Sequence, residues 1–253
     1  MINPWLMKME QFTRFSETER QMLDKLASER RVQHEAGEDI ISEGDHSPDC
    51  HLIVSGLACR YTILADGSRQ IMAFLIPGDL CDAEIFILKE MDHSVGALTQ
   101  TTTALVPADT MKGMLRGSGC LGEALWWCTM VDLATLRQRI VDHGRRDAHE
   151  QIAHLIYEML VRYRMVGLTT GHAFDFPITQ DDLADATGMT PVHVNRTLKK
   201  LRDEKLITWK GKTVTILALE RVKELSGFNP NYLHLDRAHD KQDDIGHRLG
   251  DLV

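Results

Sequence analysis

The sequence predicts an α+β fold: an antiparallel β-domain, then one long helix, then a small helical domain closed by a β-hairpin. Three observations predict it. Short β-type runs punctuated by glycines fill residues 32–106. Apolar residues at heptad spacing run through residues 121–142. Residues 178–216 then place two short helices around a central glycine and end in a basic hairpin.

Size and composition suit one large or two ordinary globular domains. The chain has 253 residues, of which 43% are hydrophobic and 26% charged, a globular rather than a disordered balance. The apolar runs fall far short of the roughly 18 residues a membrane span requires. The start, Met1-Ile2-Asn3-Pro4-Trp5, lacks a basic segment followed by an apolar stretch. No secretory signal is therefore expected, and the expected location is cytoplasmic. A net charge of −8 argues against a protein that coats nucleic acid with its whole surface, but leaves room for a local basic patch. No two of the five cysteines form a C-x-x-C pair, so reduced structural thiols are expected and no metal site. Cys50 and Cys59 flank an expected turn at Ser55-Gly56. As diagonal neighbours on one face they leave a redox pair open.

Each element follows from local pattern. Trp5, Met9, Phe12 and Phe15 make an apolar N-terminal segment. Ser16-Glu17-Thr18-Glu19 reads as a capping box before a helix that buries Leu23 and Leu26. Strand-like runs follow at residues 40–41, 51–54, 61–64, 70–74 and 99–106, with Asp66-Gly67 as a hairpin turn. Turn signals every 7 to 12 residues between short strands indicate a sandwich or barrel.

In the helix that follows, Trp126, Leu133 and Ile140 recur every seven residues, with Thr129, Leu136 and His143 three positions after each. These are the a and d positions of a dimer seam, although an ordinary helix buried on two sides fits the same pattern. Leu121, Leu125 and Cys128 form a second stripe suited to packing on the β-domain. The helix is about 33 Å long at 1.5 Å per residue. Residues 144–147 form a polar break, where a hinge is expected. Ile152, Leu155, Ile156, Met159, Leu160 and Tyr163 then give a second amphipathic helix, stopped by Gly167. Beyond Phe228 the chain is polar and irregular, and a mobile tail is expected.

The segment richest in function begins at Thr179. This residue suits an N-cap, and Asp181 and Asp182 suit the positive end of a helix. Leu183, Ala184 and Thr187 form its inner face, and Gly188 supplies a tight turn. Thr190 caps the next helix, with Pro191 in its first turn, where a missing N–H costs nothing. Val194, Leu198 and Leu201 share one face. Val192, His193, Asn195, Arg196, Lys199 and Lys200 are left for the other. A helix anchored by one stripe and presenting donors on the other is what reading a major groove requires. Residues 189–212 carry seven Lys or Arg against two acids. Lys210-Gly211-Lys212 forms the tip of a hairpin placed to touch phosphates. The expected DNA-contacting set is Thr179, Gln180, Thr190, Val192, His193, Asn195, Arg196, Lys199, Lys200, Lys210 and Lys212, with a recognition helix at about residues 190–204.

The glycine-punctuated β-segment, Ile76-Pro77-Gly78-Asp79-Leu80, the long middle helix and residues 178–207 together resemble the CRP/FNR family, typified by the cyclic-AMP receptor protein and the fumarate–nitrate reduction regulator. The resemblance covers roughly residues 15–225. It implies a cyclic-nucleotide-binding-like β-roll (a jelly-roll) in residues 1–115 and a dimerisation helix in 116–143. A winged helix–turn–helix in 144–228 and a flexible tail in 229–253 complete the expected layout. It further implies a homodimer on double-stranded, palindromic promoter DNA, and recruitment or blocking of RNA polymerase. Trp126, Thr129, Leu133, Leu136 and Ile140 are the seam residues on this reading.

The effector pocket implied by the resemblance comprises Gly78, Asp79, Ala83, Glu84, His93 and Ser94. Members that bind cyclic AMP carry a Gly-Glu pair and then an Arg-Ser pair. This chain has Asp82-Ala83-Glu84 and His93-Ser94. Without the bidentate arginine the cyclic phosphate has no strong charge-assisted partner, so cyclic AMP is not expected. The iron–sulfur members carry an N-terminal cysteine cluster, whereas this chain has no cysteine before Cys50, so no such cluster is expected. The effector stays unassigned. Arg196 matches the family's guanine-reading arginine, while Val192 stands where the family places a base-reading glutamate. Val192 suits a thymine methyl instead.

An enzyme is not expected. His149-Glu150 and His154 superficially resemble a zinc-protease motif, but that motif spaces its histidines four apart, not five. The expectation is that they lie on the helix surface and at the core edge. No Walker loop or G-x-S-x-G is present. Two other readings stay open. One is a haem- or metal-dependent gas or redox sensor on the same scaffold, for which His34, His46 and His51 offer nothing specific. The other is a ligand-binding module that does not contact DNA.

Overall fold

The computed structural model describes residues 3–83, 85–88, 90–117 and 119–235. The chain opens with α1 (Pro4–Met9), capped by the Asn3 side chain, and α2 (Glu17–Ser28), which begins with the Ser16–Glu19 capping box. Strands β1 (Arg31–His34), β2 (Asp39–Ile41), β3 (Asp49–Ser55), β4 (Ala58–Ile63) and β5 (Arg69–Leu75) follow, then the short α3 (Ile85–Leu88), β6 (Ser94–Ala97) and β7 (Thr101–Pro107). They form two antiparallel sheets, ordered β1-β7-β3 and β2-β6-β4-β5. Leu52, Ile53, Ile71, Phe74, Val95, Ala104 and Val106 are all buried, Phe74 with its ring centroid 5.0 Å from that of Phe176. Burying each large apolar side chain of this kind contributes about 1.5–3 kcal/mol.

Strands β3 and β4 belong to different sheets although only Gly56 and Leu57 separate them. Gly56 has φ +93°, and a Cβ there would lie 2.5–2.7 Å from Thr101 and the Gln100 carbonyl. Only glycine turns this corner. The expected cross-strand proximity of Cys50 and Cys59 is therefore corrected, since they sit on strands of separate sheets. No disulfide joins any of the five cysteines. Strand β6 escapes sequence patterning because Gly96 breaks its alternation. That glycine lets the Tyr61 ring approach to 3.1 Å of where a Cβ would be.

α4 (Ala108–Arg116) leads into α5 (Cys120–Arg145), 26 residues long or about 39 Å. Its Leu125, Cys128 and Val131 face the interior. Trp126, Leu133, Leu136 and Ile140 are exposed, as are Thr129 and His143. After Arg146 the Asp147–Glu150 capping box starts α6 (Ala148–Met165), which is buried along most of its length. His149 and His154 are both buried, contrary to the surface and core-edge placement predicted for them. His154 lies against the rings of Phe228 and Tyr232, at centroid distances of 5.5 and 6.0 Å. The physical reason is that α6 is covered on several sides, so its polar stripe has no solvent face.

The C-terminal domain continues with β8 (Ala173–Asp175), α7 (Gln180–Thr187), α8 (Pro191–Asp203), the hairpin β9 (Ile207–Lys210) and β10 (Thr213–Ile216), and α9 (Leu219–Ser226). Its sheet is ordered β8-β10-β9. The first residues of the expected mobile tail depart from that expectation. Pro230–Leu233 form a 3-10 turn, Leu233 and Leu235 are buried, and the Tyr232 hydroxyl donates to Glu158 Oε2 at 2.8 Å. The remainder of that tail, 236–253, lies outside the described residues. No helix among the described residues is long and apolar enough to cross a membrane.

Candidate nucleic-acid interface

The helix pair is built by caps and one turn. Thr179 Oγ1 donates to Asp182 Oδ2 at 2.7 Å, and the Asp182 amide donates back to Thr179 Oγ1 at 3.0 Å. Such a reciprocal cap is worth on the order of 1 kcal/mol. Leu183, Ala184 and Thr187 are buried, and Gly188 closes α7 in the left-handed region at φ +67°. Thr190 accepts from the His193 amide to begin α8, with Pro191 in the first turn. Val194, Leu198 and Leu201 are buried against the rest of the domain.

The opposite face of α8 is open. Val192 is 71% exposed, and His193, Asn195, Arg196, Lys199 and Lys200 are exposed with it. Asn195 Nδ2 donates to Gln180 Oε1 at 3.0 Å. That bond turns the amide so that Oδ1 and the other N–H remain available. Lys210 and Lys212 flank Gly211, whose φ of +56° makes the hairpin tip. Lys212 Nζ lies 2.9 Å from Asp175 Oδ2. The lysine, and then the Thr213 hydroxyl, hold the Asp175 carboxyl below its usual range. Thr179 and Thr190 serve as caps, so they shape this surface as well as bordering it.

The residues of the expected effector pocket do not share one environment. Glu84 lies outside the described residues. Gly78 packs under α1, where a Cβ would meet the Pro4 carbonyl at 2.7 Å. Asp79 is buried and receives Lys8 Nζ at 2.8 Å and Arg162 NH2 at 2.7 Å. Burial alone would raise its carboxyl pKa, but the two cations bring it down to about 2. Ala83 is half-buried beside this turn. His93 is buried, with Nδ1 2.6 Å from Asp92, and Ser94 Oγ accepts from the Glu43 amide. Arg60, the guanidinium at this turn, donates to the Leu80 and Cys81 carbonyls and to Asp132. The set does not fit a cyclic phosphodiester: its acid is neutralised from within, and this arginine is engaged by the chain itself.

Nothing in the sequence marks the ion cluster to which Asp79 belongs. Arg162 lies 3.7 Å from Glu158, Arg139 bonds Glu158 at 2.6 Å and Asp142 at 3.0 Å, and Arg146 also bonds Asp142. Charged side chains thus run from α1 through the β-domain and α6 to the end of α5.

Residues 31–118 match the cyclic nucleotide-binding domain model, and residues 150–225 match the Crp-like helix-turn-helix domain model. The nitrogen fixation regulation protein FixK of Rhizobium meliloti is 27% identical over 195 residues, covering 76% of this chain and 85% of that protein. The fumarate and nitrate reduction regulatory protein of Vibrio cholerae is 24% identical over 212 residues, covering 84% of each. Among solved structures, FixK2 from Bradyrhizobium japonicum superposes with a TM-score of 0.70 at 24% identity, over 79% of this chain and 98% of that one. A β-roll, a long connecting helix and a helix–turn–helix with a wing are thus joined in one chain, and this protein belongs to the CRP/FNR family of DNA-binding transcription regulators.

Proposed function

We propose that the protein acts as a homodimer that reads a palindromic promoter site with two copies of α8 and regulates transcription there through contacts with RNA polymerase. The observation that carries this reading is the two-sidedness of α8: Val194, Leu198 and Leu201 anchor it, while Asn195, Arg196 and Lys199 face solvent. Arg196 has the length and fork to read guanine O6 and N7, and the amide of Asn195, oriented by Gln180, suits adenine N6 and N7. Val192 offers a methyl-sized contact to thymine. Lys199, Lys200, Lys210 and Lys212 supply charge to the backbone. Thr179, Gln180, Thr190 and His193 border the groove.

The exposed stripe Trp126, Leu133, Leu136 and Ile140, with Thr129, supports pairing of α5 with its twin. On this reading residues 1–115 are the sensor, 116–143 the dimer helix and 144–228 the DNA-binding domain. Paired recognition helices then meet successive major grooves about 34 Å apart. Selection from random duplex DNA with the full chain tests the proposal. A two-fold symmetric site is expected, and Arg196→Ala is expected to relax the preference for guanine at one position of each half-site. Recovery of no symmetric site, or a monomer in sedimentation at the same concentration, overturns it.

A further inference from the structure

The first helix of the helix–turn–helix is held from outside its own domain by the sensor, and at its C-terminal end by α6. On the sensor side, the β4–β5 hairpin reaches across with Arg69 and Gln70. Arg69 NH2 bonds Asp182 Oδ1 at 2.6 Å, and Arg69 Nε bonds Asp185 Oδ2 at 2.7 Å. Gln70 Nε2 donates to the Asp185 carbonyl at 2.7 Å. The Tyr61 ring lies beneath the guanidinium, 6.0 Å from centroid to carbon. At the other end, Gln151 Nε2 donates to the Thr187 carbonyl at 3.1 Å and lies 3.1 Å from His143 Nδ1, close to the end of the dimer helix.

Asp182 carries two duties. Its Oδ2 closes the cap on Thr179, while its Oδ1 takes the sensor's arginine. It is buried, and Asp185 and Arg69 are partly so. One guanidinium fork over two carboxylates is directional in a way that a lysine point charge is not. The hairpin therefore fixes α7 in angle as well as in distance, and α8 is anchored on α7 through the Gly188 turn.

We propose that Arg69, seconded by Gln70, is a positioning residue for DNA binding: the sensor hairpin sets the pose of the recognition helix relative to the dimer helix. The inference rests on the dimeric, palindrome-reading function given above. Arg69 touches no DNA on this account. It acts on how well two heads in one dimer match two half-sites, and not on how well one head reads one half-site.

The test compares two duplexes, the palindrome selected by the wild-type chain and the same duplex with one half-site scrambled. For the full-length Arg69→Met protein, affinity for the palindrome falls about tenfold, whereas affinity for the single half-site changes by no more than about twofold. Sites with one base pair inserted between the half-sites are discriminated less by the variant than by the wild type. Arg69→Lys gives an intermediate loss. Asp185→Asn, which breaks the same fork from the α7 side without altering the sensor, reproduces the pattern if Arg69→Met does not fold. The Arg69→Met/Asp185→Asn double variant shows less than the summed loss. Equal loss on both duplexes, no loss on either, or tighter binding to the palindrome overturns the inference. Failure of the wild-type chain to select any palindrome overturns the functional reading instead.

Discussion

Arg162 and Arg196 belong to the same domain but meet opposite fates. Arg162 points from α6 into the sensor domain, where Asp79 and the Phe74 carbonyl accept from it. Arg196 stands on α8 and faces solvent. The first is one link in a buried ladder with Lys8, Asp79, Glu158, Arg139, Asp142 and Arg146; the second lies in a basic stripe whose donors are left open. The contrast separates two uses of charge. A cation paired inside the molecule sets where a domain sits, because breaking one ion pair leaves a desolvated partner behind. A cation left in water contributes little to folding and keeps its hydrogen-bonding capacity for a partner.

The sharpest way to break this comparison is to remove the hub. Asp79→Ala strands Lys8 and Arg162 without their shared carboxylate, and a loss of about 3–5 kcal/mol is expected in denaturant unfolding. Arg196→Ala is expected to leave the unfolding midpoint nearly unchanged. If the two variants lose equal stability, the division of roles is wrong. Acid titration probes the same hub. The folded-state pKa of Asp79 lies below its reference value of 3.8, at about 2. Its contribution is therefore complete above the unfolded pKa and is lost as pH falls from about 4 towards 2. Asp79→Ala should flatten that acid limb of the stability curve.

Smaller effects refine the outer face. Arg196→Ala should cost about 1–3 kcal/mol of discrimination at a single base pair, seen as relaxed preference at one position of the selected site. Lys212→Ala should lower binding with little sequence bias and reduce the salt slope by about one. Asp175→Ala probes the smallest step. It releases Lys212 from its 2.9 Å ion pair, so binding should tighten slightly at low salt. An unchanged affinity would mean that the wing lysine already reaches phosphate past its acid.

Much of the reading head is legible in the residue pattern alone. Thr179, Asp182, Gly188, Thr190 and Pro191 act within a few positions of one another, and caps and turns are short-range. The exposed side of α8 follows from the same spacing that buries Val194, Leu198 and Leu201. The strands at 51–54, 61–64 and 70–74 are visible for a similar reason, since alternation and the Asp66-Gly67 turn are local signals. Strand β6 is not, because Gly96 interrupts the pattern that would reveal it. His149 and His154 mislead, because burial on α6 depends on what covers it, including Phe228 and Tyr232 at the far end of the chain.

Residue order was thus sufficient for the helix pair, its basic stripe, the hairpin wing and the heptad face of α5, each encoded in spacings of a turn or two. The ties between modules were settled by three-dimensional packing. Asp79 meets Lys8 and Arg162 from 71 and 83 positions away, and Arg69 meets Asp182 across 113. No periodicity or composition links residues that far apart. Their pairing arises because closing the β-roll and docking α6 and α7 upon it bring those charges out of water together, where each must find a partner.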